Sequence, residues 1–478
     1  MNDQLNFTRI KRFRDNILLT TDHGGWAIIT EIDYLKMLKS ELDKETYNLL
    51  LSKGIILTED NILPVITDYK TKYDNFYMGT HLHLVIPTTR CNQRCIYCHS
   101  NAVHPSLREQ TMDQQTADRV LDFIFQSPSS DSTIEFQGGE SLAAFDIVEY
   151  IVKKSRELNR KKKKKLRFEI VTNLTLMNDH MIGFIAKNKI KICTSLDGPK
   201  DVHDRNRTFI DGGGTYDSVS RMITRLKNEN IDVGMIMVVT RYSLPFWKEI
   251  IHEYLRFGQD SIRLKYIDYL GFAKNEWEKI GYTIEEFKDF WRNAVDYMFD
   301  LNKKGIFVYE SNVDLVLRKL YGKQDPNFLD VRSPCGMVTG QLAYNFNGDI
   351  YCCDEGRSDP YYILGNVKKD HYQDIMHSAK TKELVGSSIA ESFLCDACVY
   401  KPFCGVCPVL SRAENKKLLT FLPRDNHCKV YKFIFDYVFD KIISDPRSLK
   451  RLYMGFKLRR MLYSALEKNH ASKGEFYF

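Results

Sequence analysis

Nothing in this 478-residue chain reaches eighteen consecutive apolar residues, the length that a membrane-crossing helix needs. The opening stretch, MNDQLNFTRIKRFRDN, also lacks the apolar core of a secretory signal. Neither sign of charge dominates: 69 Lys and Arg against 62 Asp and Glu leave a net charge of +7, part of it in the run Lys161 to Lys165. Domains that bind nucleic acid are usually more basic, with their cations more clustered, so no nucleic-acid partner is expected. Missing too is the cysteine distribution of a secreted disulfide scaffold. All of the 12 cysteines but Cys193 gather in one loop and one C-terminal block, as metal ligands do. The expectation is a cytoplasmic protein with no membrane partner, and its 43% hydrophobic content is enough for several domains without disulfide staples.

The loop is Arg90 to His99, RCNQRCIYCH. Cys91, Cys95 and Cys98 are spaced C-x3-C-x2-C, one thiolate fewer than an ordinary four-iron cluster takes from protein. Three ligands leave one iron open to a small molecule, which points to a catalytic cluster. A structural zinc site needs four protein ligands, and a zinc knuckle completed by His99 stays open from the spacing alone.

Six β-rich runs recur from His81 to about residue 268, HLHLVIP, STIEFQGG, RFEIVTN, IKICTSL, VGMIMVV and SIRLKYI, separated by helix-length spacers. Near-continuously apolar strands alternating with helices predict a parallel sheet of βα units, whose chemistry sits at the carboxyl ends of strands. The cysteine loop follows the first run. Gln137, Gly138, Gly139 and Glu140 close the second, where paired glycines would let the backbone approach a ligand. Thr172 and Asn173 end the third, Ser195 and Asp197 the fourth, and Arg207 lies shortly beyond. Ahead of the loop, residues 1–78 read as a small α+β module, with two β-rich runs about His23-Gly24-Gly25 followed by helical periodicity. Residues 271–330 read as a helical bridge, and 431–478 as helices broken at Pro446. The lysine run reads as a solvated loop, and Cys193 as a small core residue.

The second block holds Cys335, Cys352 and Cys353, then Cys395, Cys398, Cys404 and Cys407, and finally Cys428. These are too many for one tetrahedral site, although two zinc sites remain open from spacing alone.

In this order the pieces resemble the radical S-adenosylmethionine (radical SAM) enzymes, with Tyr97 at the aromatic position of their C-x3-C-x-aromatic-C loop, followed by a block similar to the SPASM domain. The resemblance implies an α/β fold: a partial (β/α)6 TIM-like barrel over 79–270, with the N-terminal module before it and a cysteine-rich SPASM domain over 331–430. It further implies three [4Fe-4S] clusters. Cys91, Cys95 and Cys98 would hold the SAM-binding one, and Cys395, Cys398, Cys404 and Cys428 the outer auxiliary one. Cys335, Cys353 and Cys407 would hold the inner one, with its fourth ligand either Cys352 or an open position. The family pattern has three residues between the cysteines numbered 404 and 407 here, whereas this chain has only Gly405 and Val406. SAM would be bound by Tyr97, Gln137, Gly138, Gly139, Glu140, Thr172, Asn173, Ser195, Asp197 and Arg207, the last well suited to grip a carboxylate. Asp354 would be a general base.

The implied activity is radical SAM peptide maturation: SAM yields a 5′-deoxyadenosyl radical that takes hydrogen from a residue of a ribosomally made peptide. The net two-electron oxidation would give an intramolecular crosslink, a cyclophane or thioether. The subfamily resembled is the His-Xaa-Ser and cyclophane-forming maturases. Implied partners are a precursor peptide with a leader, which residues 1–78 would recognise, and a reductant such as flavodoxin or ferredoxin. One alternative is a sulfatase-type maturase making formylglycine, and another a noncatalytic metal-binding scaffold for a peptide. The retained Gln137-Gly138-Gly139-Glu140 and Arg207 argue against the scaffold.

Overall fold

The computed structural model describes residues 4–419 and 425–469. All six β-rich runs form parallel neighbours in one sheet: β1 (Leu82–Thr88), β2 (Asp131–Gly138), β3 (Lys165–Val171), β4 (Lys191–Ser195), β5 (Val233–Val238) and β6 (Leu264–Lys265). Strands buried on both faces must be apolar throughout, and residues 83–88 of β1 are all buried. Helices 114–124, 145–162, 179–188, 216–228 and 247–256 return the chain between strands. Side-chain caps fix where two of them begin: Asp113 accepts from the Thr116 amide and Asn178 from the Met181 amide. The sixth run is divided, because Ser261–Ile262 pairs with Tyr309–Glu310 while β6 pairs with β5.

The sheet does not stop at the barrel. A seventh strand, β7 (Gln341–Tyr344), lies parallel to β1 with Ala343 opposite Leu84, and β8 (Asp349–Tyr351) and β9 (Ile363–Asn366) extend it antiparallel. The spatial order is β6-β5-β4-β3-β2-β1-β7-β8-β9. One hydrophobic core therefore runs from the barrel into the cysteine block.

The N-terminal unit has its own small core, built from Ile17, Leu19, Ala27, Ile29, Met37, Leu50, Ile55 and Ile56. Its antiparallel sheet, 8–13 with 16–21 with 26–30, includes the hairpin expected about His23. Alternation sends Ile17 and Leu19 inward while Leu18, on the other face, joins the main core. Thr20 donates to the Val399 carbonyl at 2.7 Å and the Trp26 indole to that of Leu320 at 2.9 Å, docking the unit on the cysteine block and helix 311–321.

The lysine run is not simply a solvated loop. Helix 145–162 continues through Lys162, and Lys164 is half-buried, donating to the carbonyls of Ser127 and Ser129 at 2.7 and 2.5 Å. Cys193 lies in β4 and is 2% exposed, as a core residue. At the C-terminus, helices 426–444 and 446–469 meet at Pro446, and residues 470–478 lie outside the described residues. No helix among the described residues is long and apolar enough to cross a membrane.

Candidate active site

A cavity of about 840 Å³ occupies the barrel interior. Cys91, Cys95 and Cys98 line it, together with Tyr97, Gln137, Gly138, Gly139, Glu140, Thr172, Asn173, Ser195 and Arg207. The carboxyl ends of β1 to β4 thus deliver nearly the whole expected set to one space. Asp197 stands just behind this wall, fully buried.

The two glycines, besides lining the cavity, make room for backbone. A Cβ on Gly139 would stand 2.3 Å from the carbonyl oxygens of both Thr89 and Arg90, and one on Gly138 2.3 Å from that of Thr88. Gly138 also has φ +138°, which L side chains avoid. Gly139 N donates to Thr88 O at 3.0 Å and Glu140 N to Arg90 O at 2.7 Å. The glycines let β2 press against the backbone of the cysteine loop and hold it there.

Behind that contact, Glu140 is 1% exposed, and its carboxylate accepts from Thr172 Oγ1 (2.6 Å), Asn173 N (2.7 Å) and Leu142 N (3.0 Å). Burial raises its pKa, and these three donors oppose the rise. Asn173 in turn directs Nδ2 at Asn92 Oδ1 (2.9 Å) and Cys91 Sγ (3.8 Å). Glu140 therefore ties the ends of β2 and β3 beneath the cysteine loop.

Across the cavity, Arg207 Nε donates to Asp197 Oδ2 at 3.0 Å, Nη1 points at Cys95 Sγ at 3.5 Å, and Nη2 bonds the Tyr97 hydroxyl. That hydroxyl donates to Asp197. The Asp197 charge is thereby paired, and Arg207 is held rigid beside the thiols at the cavity wall.

The far wall comes from the cysteine block. Asp354 pairs with Arg357 Nε at 2.5 Å and with His99 Nε2 at 3.3 Å. Arg357 Nη2 lies 3.0 Å from Gln137 Oε1, and Gln137 Nε2 bonds Glu135. Burial alone would raise the Asp354 pKa, but the Arg357 and His99 charges outweigh it and hold the carboxyl well below its usual range. Glu135 is pushed up to about 8 by burial and by the neighbouring Glu169. Sequence reasoning missed Arg357, Glu135 and Glu169. Strand alternation carried a signal for Glu135, two residues before Gln137 and so on the same face. Arg357 follows Asp354 by three residues in a helical turn, the spacing of an ion pair.

The cysteines of the C-terminal block sort into two groups. Cys404 feels the thiols of Cys428, Cys398 and Cys395. Cys335, Cys353 and Cys407 instead line a separate cavity of about 70 Å³.

Comparison with known proteins agrees with this geometry. Residues 85–253 match the radical SAM superfamily and residues 335–408 the SPASM iron-sulfur cluster-binding domain. The chain belongs to the radical SAM superfamily. Among its relatives is the cysteine-type anaerobic sulfatase-maturating enzyme of Clostridium perfringens, 24% identical over 370 residues, which span 75% of this chain and 96% of that one. The solved structure of native anSMEcpe with bound AdoMet and Kp18Cys peptide has a TM-score of 0.65 at 21% identity, covering 78% of this chain and 99% of that chain. Streptococcus suis SuiB bound to precursor peptide SuiA has a TM-score of 0.53 at 14% identity, covering 90% and 100%.

As a radical SAM enzyme with a SPASM domain, the chain takes [4Fe-4S] clusters and SAM, and its residues fit them. No cysteine is in a disulfide. Burial pushes the Cys95 thiol up to about 11 and that of Cys91 higher still, so without metal both are neutral. Yet N–H groups are aimed at these sulfurs from Gln93, Asn173 and Arg207, an arrangement suited to thiolates on a metal.

Proposed function

We propose that this radical SAM enzyme is a peptide maturase carrying three [4Fe-4S] clusters, and that it performs a net two-electron oxidation that closes a crosslink within a ribosomally made peptide. The observation carrying this reading is the single cavity bounded on one side by Cys91, Cys95, Cys98 and Arg207, and on the other by Asp354 and Glu355. When bound, the loop cluster and SAM supply a 5′-deoxyadenosyl radical that removes a substrate hydrogen. The chain's own residues do the rest. The Glu140–Thr172–Asn173 knot positions the cysteine loop, and Arg207 fixes Tyr97 and Asp197 beside it. Asp354, pinned by Arg357 and His99 at the block side of the cavity, takes the proton that the oxidised substrate releases. Held so firmly ionised, it is a weak base, suited to the strongly acidic proton of a substrate radical or cation.

Residues 1–78 are proposed to recognise the leader of the precursor. Strand 26–30 lies at the edge of its sheet, where an extended peptide can add as a further strand. Ile32, Leu35 and Leu38, spaced along one face of the adjoining helix, are 52 to 67% exposed and offer an apolar surface beside that edge.

Formylglycine formation, the alternative, draws support from the likeness to the sulfatase-maturating enzyme. The N-terminal unit and its edge strand favour a leader-bearing peptide. The deciding experiment is anaerobic reconstitution, with iron and sulfide counted in wild type and in the Cys91/Cys95/Cys98→Ala triple variant. About 12 irons should fall to about 8, at about four per cluster. SAM cleavage should vanish with them, and mass spectrometry of a leader-bearing peptide should show a crosslink and no aldehyde. Zinc in place of iron would end the radical reading.

A further inference from the structure

The inner group of cysteines is one thiolate short of a closed four-iron cluster, and the cavity walls offer an oxygen ligand to complete it. This inference rests on the auxiliary-cluster reading above. Cys335, Cys353 and Cys407 share the 70 Å³ cavity, and Cys352 is not among its walls. Both sulfurs lie against Gly356, where a Cβ would meet that of Cys352 at 2.7 Å and that of Cys353 at 3.4 Å. The two sulfurs are 3.7 Å apart. That is the separation of two sulfurs sharing one tetrahedral metal at about 2.3 Å, whereas each iron of a cubane takes one protein ligand.

The same cavity is walled by the carboxylates of Asp268, Asp330, Glu355 and Glu414, of which Asp268 pairs with Lys265 at 2.9 Å. Glu414 is engaged by the Asn426 amide at 2.9 Å. The carboxylates of Glu355, two residues after Cys353, and of Asp330 have no hydrogen-bond or ion-pair partner among the described residues, and both also line the large cavity. Of the two, the Glu355 charge is felt at all three thiols, and that of Asp330 at Cys335 and Cys407.

We propose that Glu355, and not Cys352, supplies the fourth protein ligand of the inner cluster, a carboxylate oxygen on the side shared with the substrate cavity. Oxygen is a harder ligand than thiolate and a poorer match for iron-sulfur clusters. The iron it holds is therefore the one whose protein ligand an incoming substrate donor displaces most readily.

The test uses the Cys91/Cys95/Cys98→Ala protein, which retains only the auxiliary clusters, so iron content, EPR and midpoint potentials report on them without turnover. Added Cys352→Ser should leave about 8 irons and both potentials unchanged. Added Glu355→Cys should keep the irons but lower one potential, since a thiolate donates more charge to iron than a carboxylate does. Added Glu355→Gln should make that same cluster lose one iron on mild oxidation, giving a three-iron EPR signal. A shifted potential in Cys352→Ser with none in either Glu355 variant overturns the assignment. So does a shift confined to Asp330→Asn. Fewer than about 8 irons in the parent triple variant would refute the auxiliary-cluster reading itself, a separate outcome.

Discussion

Substituting Gly139 with alanine separates two accounts of the paired glycines. The added methyl would stand 2.3 Å from two carbonyl oxygens, where ordinary contact begins near 3.4 Å, so both must retreat by about 1 Å. Overpacking of this kind costs roughly 1–3 kcal/mol. The same displacement stretches the bonds from Gly139 N to Thr88 O and from Glu140 N to Arg90 O, each worth about 1 kcal/mol. The total, about 3–5 kcal/mol, falls on the loop that carries Cys91, and most of the remaining fold does not share it. Gly139→Ala should therefore be purified folded, with the auxiliary clusters loaded and the loop cluster depleted, its iron falling from about 12 toward about 8. Iron analysis and the EPR of the loop cluster with and without SAM provide the readout. If the variant keeps all its iron and loses only SAM affinity, the glycines serve ligand approach and the steric reasoning is wrong.

Arg207→Met should cost about 3–5 kcal/mol in urea unfolding, because it strands the fully buried Asp197; adding Asp197→Asn should recover a large part of that loss. Asp354→Asn should retain iron and SAM cleavage while product formation drops by about 10²–10⁴, and a parallel loss of SAM cleavage would exclude the proton-acceptor role. His203, fully buried in the barrel wall, has its pKa lowered to about 4 by burial. It stays neutral when folded but protonates near pH 6.5 when unfolded, so its effect is a loss of stability as pH falls below about 6.5. Between pH 7 and 5.5 that amounts to about 1 kcal/mol in chemical denaturation, and His203→Gln should remove that increment.

Much of the barrel was legible because its code is short-range. Apolar runs separated by helix-length spacers can pack in few ways, and motif residues at strand ends converge as soon as the strands are parallel. The partners of those residues were not legible. That Arg207 would be held by Asp197 and Tyr97, or Glu140 by Thr172 and Asn173, depends on register between strands, and a single sequence does not state register. Gly139 shows the limit most plainly, since a glycine can make room for a ligand or for backbone, and only the neighbouring chain reveals the second. The link from His99 across to Asp354 joins positions 255 residues apart, and local spacing carries no trace of it.

On the three-cluster reading proposed above, the parallel pairing of β7 with β1 bears on electron transfer. β1 runs into the loop of Cys91, while β7 leads through β8 to Cys353 in the block. Tunnelling between redox centres falls off exponentially with separation. In a protein whose cofactor domains swing on a linker, the rate would fluctuate with every hinge motion. Here a continuous ladder of amide hydrogen bonds acts as a ruler between the two cofactor regions, so heat or a bound peptide can change the gap only by breaking sheet. Grafting this cysteine block onto another barrel should then preserve electron flow only if β7 travels with it and finds the same register against the first strand.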